Sequence, residues 1–520
     1  MKEQSKKTVA KKKFFKMVFS RAGIFVILIL IQLLVFLGIP YYLKEYATFI
    51  YSAMSVMEIV VLVYIINTEG NPAFKMTWML CVMALPVIGT VFYIYVHLQL
   101  ETRFVQNRLA ALRMETEPYM DQDEKVTEAL WASKSANAQL SYYLSHQLGF
   151  PTYRNTEVEY FPVGEDKFAS MIKELEKAEK FIFMEYFIVE EGIMWDTILE
   201  ILKRKVNEGV EVRFMYDGMC AFDLLPYSYP KKLQKFGIKC KMSNKIRPFV
   251  STIQNNRDHR KICVIDGQTG YVGGVNLADE YINEKERFGH WKDTGVRLLG
   301  EGVFNLTIMF LEMWNAFQKP DFDYEAFRPH RWHPETFKTD GYVIPYADTP
   351  LDNEELGENV YINILNQAKD YVYIATPYLL ISDEMERALC LAAKRGVDVR
   401  ILMPGIPDKP MVFYMAKSYY PPLLEAGVKI YEYTPGFVHA KSYVCDDQIG
   451  TVGSINMDFR SLYLHFECGT MLYQCEAIHD IKTDMEQCFE QCHQVTMGDC
   501  RQGVIGGLFT SVLRVLAPLM

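Results

Sequence analysis

The 520-residue chain predicts two pseudo-symmetric α/β halves sharing one site, preceded by N-terminal transmembrane helices. Three observations carry that fold class. A spaced signature, H-x-K, four residues, D, six residues, G-[GS]-x-N, occurs twice. The first copy is His259, Lys261, Asp266, Gly273, Gly274 and Asn276. The second, His439, Lys441, Asp446, Gly453, Ser454 and Asn456, follows 180 residues later. An order of helices and strands recurs around both copies, and three long apolar stretches precede them.

Residues 1–21 carry eight Lys or Arg and one Glu, a basic tail expected in the cytoplasm. Residues 22–43, 46–66 and 76–98 are apolar. The first stretch has 22 residues without a charge, enough to cross a bilayer core. It is too long for a secretory signal and lacks a small-residue cleavage site, so a retained anchor is expected. The second carries Glu58, and a lone carboxylate at the bilayer centre costs about 3 kcal/mol. It therefore either shields that group or lies in the interface. The third contains Pro86 and Gly89, which spanning helices tolerate. Residues 22–98 thus predict an anchor of two or three helices; three put the remainder of the chain outside, two keep it inside.

Residues 99–139 are polar and predict a linker helix. The first half, 140–345, opens with a helical face at Phe168, Ile172 and Leu175, then the strand-like run 181–189, a helix with Trp195, Ile198, Leu199 and Leu202, and a strand at 210–216. The second half, 346–500, repeats the order with a helix near 353–369, strands at 371–379 and 397–403, and a helix with Met385, Ala388, Leu389 and Ala392 between them. Gly209 recurs as Gly396, 187 residues on, and Gly237 as Gly427, 190 residues on. Against the signature offset of 180, the first half holds ten extra residues, 245–254, expected at a pocket rim. Tyr186 and Tyr378, at equivalent strand ends, either line that pocket or pack in the core. The apolar segment 501–520 is expected to lie in the membrane interface or cover a groove.

The signature suits displacement at a phosphodiester. Two imidazoles can divide nucleophile and acid–base roles near neutral pH. Lys261 and Lys441 would hold the non-bridging oxygens, with Asn276 and Asn456 adding amide donors. Gly273, Gly274 and Gly453 would let backbone approach the phosphate. No cofactor is implied, and no metal-spaced ligand set accompanies the signatures. Beyond the basic tail the net charge is −16, the wrong sign for tracking nucleic acid. Ten of the 11 cysteines lie beyond Leu98, which suits a reducing compartment or an anaerobic organism.

These motifs resemble the HKD motifs of the phospholipase D superfamily. Residues 256–281, 288–300 and 437–461 are similar to its bacterial cardiolipin synthase branch, and the likeness covers roughly residues 70–520. It implies two phospholipase D-like halves and a catalytic set of His259, Lys261, Asp266, His439, Lys441 and Asp446. Lys261, Lys441, Asn276, Asn456 and Ser454 would bind phosphate, and Asp293 and Glu467 would orient the imidazoles. The run ICVI between Lys261 and Asp266 suggests that the signature aspartates brace the turn. The implied activity joins two phosphatidylglycerols through a phosphohistidine and releases glycerol, in a multi-pass protein of a bacterial cell membrane. The alternatives are a phospholipase D-type hydrolase, transfer to another alcohol such as serine, and, less so, a nuclease.

Overall fold

The computed structural model describes residues 38–98, 100–133, 137–244, 255–316, 323–329, 337–338, 340–501 and 504–519, with Leu30 and Gln32. The basic tail, most of the first apolar stretch and the insertion 245–254 lie outside the described residues. The chain divides into two compact units at residue 100.

In the first unit the helix Ala47–Asn67 has 21 residues, with a mean hydropathy of 2.2 over its most apolar 18. At 1.5 Å per residue it is about 31 Å long, the thickness of a hydrocarbon core. Among the described residues it alone is long and apolar enough to cross a membrane, although it is the stretch that carries Glu58. The third predicted span is corrected. It forms two 13-residue helices, Pro72–Ala84 and Pro86–Leu98, separated at Leu85 (φ −131°, ψ 69°). Pro86 lacks an N–H, and its ring excludes the helical conformation at the residue before it. Gly89 then allows close approach, since a Cβ there would lie 2.5 Å from the Cys81 carbonyl oxygen.

The second unit holds both halves. The first contributes β1 (Thr156–Phe161), β2 (Phe181–Tyr186), β3 (Glu211–Asp217), β4 (Lys239–Ser243), β5 (Ile262–Ile265), β6 (Thr269–Gly273), β7 (His290–Lys292) and β8 (Gly295–Gly300). The second contributes β9 (Tyr342–Asp348), β10 (Tyr371–Ala375), β11 (Leu379–Leu380), β12 (Asp398–Pro404), β13 (Lys429–Tyr433), β14 (Gly436–Val438), β15 (Ser442–Cys445), β16 (Ile449–Gly453), β17 (Met457–Asp458), β18 (Glu467–Tyr473) and β19 (Cys492–Gln494). The first sheet runs β1-β8-β6-β5-β2-β3-β4, and the second runs β9-β18-β16-β15-β10-β12-β13 with β19 added at the edge. Equivalent neighbours pair in the same sense: β2-β3-β4 and β10-β12-β13 are parallel, and the remaining shared pairs are antiparallel. Strands β2 and β10 are buried along their whole length, which explains their largely apolar sequence, broken in β2 by Glu185. The helix Val303–Ala316, buried along most of its length, packs against β2, β5 and β9 and so touches both sheets.

Two expected boundaries move. Strand β9 pairs with β18, so the second half begins at Tyr342 and not at 346. The expected linker is part of the second unit: in the helix Leu100–Thr116, Leu112 is buried, Thr116 hydrogen-bonds Glu312 and Arg113 donates to the Leu148 carbonyl. The C-terminal helix Val504–Leu516 also docks here, through an Arg514–Glu386 ion pair of 2.6 Å.

Candidate active site

Each histidine stands just before the strand of its own half and is held by the other half. The His259 N–H donates to the Phe466 carbonyl (2.9 Å), and the His439 N–H donates to the Lys292 carbonyl (2.7 Å). Strand β7 pairs in parallel with β14, and Asp258 bridges Phe466 in the same sense. These two contacts are pseudo-symmetric equivalents, and each sets a histidine beside the acid of the opposite half. His259 Nδ1 lies 2.8 Å from Glu467 Oε1, and His439 Nδ1 lies 2.6 Å from Asp293 Oδ2. An Nδ1–H donated to a carboxylate leaves the Nε2 lone pair directed away from it.

The glycines in the signatures serve these acids. A Cβ on Gly274 would fall 2.1 Å from Asp293 Oδ1. At the matching position Ser454 donates to Glu467 Oε2, while Ser461 donates to Glu467 Oε1. Ser454 therefore braces the acid, which corrects its placement among the phosphate ligands. Gly273 and Gly453 face Gly295 and Gly469 across the sheet, where a Cβ would meet neighbouring backbone at 2.5 and 2.4 Å. Their close approach is to protein backbone, not to a ligand.

Lys261 and Lys441 are buried, and each ammonium donates to the carbonyl of its own motif histidine. An ammonium has three donors, so two on each remain for a ligand. Burial lowers Lys261 to about 8, with Glu467 opposing. Burial and the neighbouring Lys261 lower Lys441 to about 7. Burial and Lys441 lower His439 to about 4, and burial holds His259 well below its ordinary value. Burial thus favours the neutral form of both imidazoles. Burial pushes the Glu467 carboxyl up, but His259 and its hydrogen bond hold it below the usual carboxylate range.

The other expected residues separate. Asn456 Oδ1 is buried without a hydrogen-bond partner, but Asn276 is engaged: Oδ1 accepts from the Ile188 N–H and Nδ2 donates to the Tyr281 hydroxyl. Asp266 and Asp446 are corrected out of the catalytic set. Asp266 accepts from the N–H groups of Glu179, Lys180 and Phe181, and Asp446 from those of Lys369, Asp370 and Tyr371, each within 2.9 Å. Both have positive φ, 51° and 52°, and tie a hairpin turn to the start of β2 or β10. An extended strand of five steps sets each roughly 16 Å from its signature lysine. Tyr186 is core, and the Tyr378 hydroxyl donates to Asp408.

Several neighbours escaped the sequence reading. Phe187 lies edge-on to His259 at 4.8 Å, and Tyr281 edge-on to His439 at 5.4 Å. The His465 ring lies tilted 5.4 Å from that of His259, with Nδ1 3.7 Å from Glu467. His259, His465 and Glu467 present ligand atoms within 4.8 Å of one another, so a set with metal-like spacing does exist beside the signature. Behind His259 runs a charged layer: Arg260 pairs with Glu185, and Arg257 with Asp217. At the signature offset, Arg257, Asp258 and Arg260 become Phe437, Val438 and Ala440, so the second histidine has an apolar backing.

Two pseudo-symmetric α/β halves that cross-pin a pair of imidazoles beside paired lysines have the architecture of the phospholipase D superfamily, and the relatives make the chain a phosphatidyltransferase. The family model for the cardiolipin synthase PLD-like domain matches residues 171–287 and 361–489. A cardiolipin synthase of Alkalihalophilus pseudofirmus is 33% identical, covering 90% of this chain and 92% of its own. A protein of Streptococcus mutans described as uncharacterized is 50% identical, covering 88% and 99%. The crystal structure of phosphatidylserine synthase from Haemophilus influenzae superimposes with a TM-score of 0.54 at 15% identity, over 73% of this chain and 98% of that one, a likeness of fold. The chain belongs to the cardiolipin synthase family.

Proposed function

We propose that the chain is a membrane-held cardiolipin synthase that moves the phosphatidyl group of one phosphatidylglycerol to the glycerol hydroxyl of another, releasing glycerol. The supporting observation is the cross-pinned pair of buried imidazoles beside Lys261 and Lys441, two cations weakened by burial that a phosphodiester anion would restore. His259 Nε2 attacks phosphorus as the bond to glycerol breaks, and the departing alkoxide takes a proton from His439 Nε2. The anion bound beside His439 raises its affinity for that proton. His439, now neutral, removes the proton of the acceptor hydroxyl, whose oxygen displaces His259. Lys261, Lys441 and Asn456 hold the phosphate, and Asp293 and Glu467 steady the rings.

Residues 22–98 hold the protein at a bacterial cell membrane, crossing it more than once. Water competes with the acceptor for the phosphohistidine, so transfer needs an acceptor held in line and water kept out. The test is the product formed by the purified full-length protein in phosphatidylglycerol vesicles. Cardiolipin with equimolar glycerol is expected, and added glycerol should drive the reaction back. Phosphatidic acid as the main product refutes the synthase reading in favour of hydrolysis.

A further inference from the structure

Strands β3 and β12 are pseudo-symmetric, and each is followed by a Gly and an apolar residue: Gly218-Met219 and Gly405-Ile406. Met219 and Ile406 are 40% and 41% exposed. Each heads a short apolar set, with Leu224 and Tyr227 exposed in the first half and Met411 in the second.

Both sets stand one residue away from the surroundings of a histidine. The thiol beside Met219, Cys220, donates to the carbonyl of Phe187, whose ring packs on His259. The Ile406 N–H donates to the Gly436 carbonyl at the start of β14, three residues before His439. The carboxyl ends of parallel strands are where such sheets receive ligands. These side chains therefore stand at the end of each sheet that carries its histidine. Lys231, exposed beside the first set, supplies a cation that an anionic lipid surface attracts, and Lys409, exposed beside the second, shares its charge with Asp408 at 3.9 Å.

We propose that these two apolar sets dip into the surface of an anionic bilayer and seat the mouth of the cleft on it. This rests on the lipid substrate proposed above. A phosphatidylglycerol whose acyl chains stay in the bilayer can bring its phosphodiester to a buried histidine only if the rim sits at headgroup depth.

The test uses full-length protein in phosphatidylglycerol vesicles whose acyl chains carry bromine, a short-range quencher of tryptophan. Met219→Trp and Ile406→Trp should each add fluorescence that is quenched. Phe236→Trp, exposed at the opposite end of the parallel strands just before β4, should add fluorescence that is not. The double variant Met219→Asp/Ile406→Asp should lose roughly tenfold or more of its activity on vesicles, the factor that one lost apolar contact represents. Its activity on monomeric short-chain phosphatidylglycerol should be unchanged. Unquenched rim reporters in an active protein, or equal quenching at Phe236→Trp, overturn the proposal. So does cross-linking of the unquenched rim to a second protein chain. Quenched reporters in a protein that yields only phosphatidic acid refute the synthase reading and leave the docking intact.

Discussion

Cross-pinning makes the two acids distinguishable in a way that their places in the sequence would reverse. Asp293→Asn keeps an oxygen for the His439 Nδ1–H, now 2.6 Å from Asp293, but removes the charge that supports the protonated ring. A hydrogen bond to a charged group contributes about 1.5–3 kcal/mol, and each 1.36 kcal/mol is a factor of ten in rate. Turnover of phosphatidylglycerol should therefore fall roughly 10- to 150-fold. The loss belongs to the proton delivered to glycerol. A p-nitrophenyl phosphodiester, whose leaving group needs no proton, should still give a normal first burst of nitrophenol with Asp293→Asn. Glu467→Gln acts on His259, the assigned nucleophile, and should suppress the burst as well. Stopped-flow absorbance reads both. Equal loss of burst in the two variants would refute the division of roles, and the reverse pattern would make His439 the nucleophile.

Lys441 near 7 and Lys261 near 8 are below the ordinary lysine value, and a bound anion favours their charged forms. Binding of inorganic phosphate at pH 8 should therefore take up about one proton, and kcat/KM should fall as pH rises past this range; calorimetry in two buffers showing no uptake would contradict this. Replacing Asp266 by Ala leaves three backbone N–H groups without their acceptor and should cost about 2–4 kcal/mol of stability. The melting temperature should drop while each folded molecule keeps its rate, and the opposite outcome would return Asp266 to the catalytic set. Activity should survive strong chelation, whereas zinc should inhibit by tying His259 to His465 and Glu467. Loss in chelator, restored by one divalent ion, would sink the metal-free mechanism.

The duplicated signature and the repeated order of strands were legible because both are periodic along the chain. Which acid serves which histidine was not. Asp293 follows His259, and Glu467 follows His439, yet the pairs form crosswise, because β7 finds its partner in β14 of the other half. Linear order carries no information about exchange between two similar modules. Asn276 and Asn456 were equivalent in the sequence and differ in the fold because the Ile188 N–H and the Tyr281 hydroxyl engage the first. The glycines signalled close approach correctly, but what approaches is Asp293 and the neighbouring strand. Hydropathy could not weigh Pro86 against the apolar run around it, and the break at Leu85 is decided by the ring of one residue.

The exchange of acids also bears on how two unlike roles arise from one repeated module. Two separate copies of a single half, associated as a dimer, would present two identical imidazoles, and either would become the nucleophile by chance at each encounter. Joining the copies in one chain allows them to diverge. Here one acid is an aspartate with Gly274 behind it, and the other is a glutamate steadied by Ser454 and Ser461. One histidine is backed by charge and the other by apolar side chains. On the proposed mechanism, the covalent link converts a coin toss into an assignment.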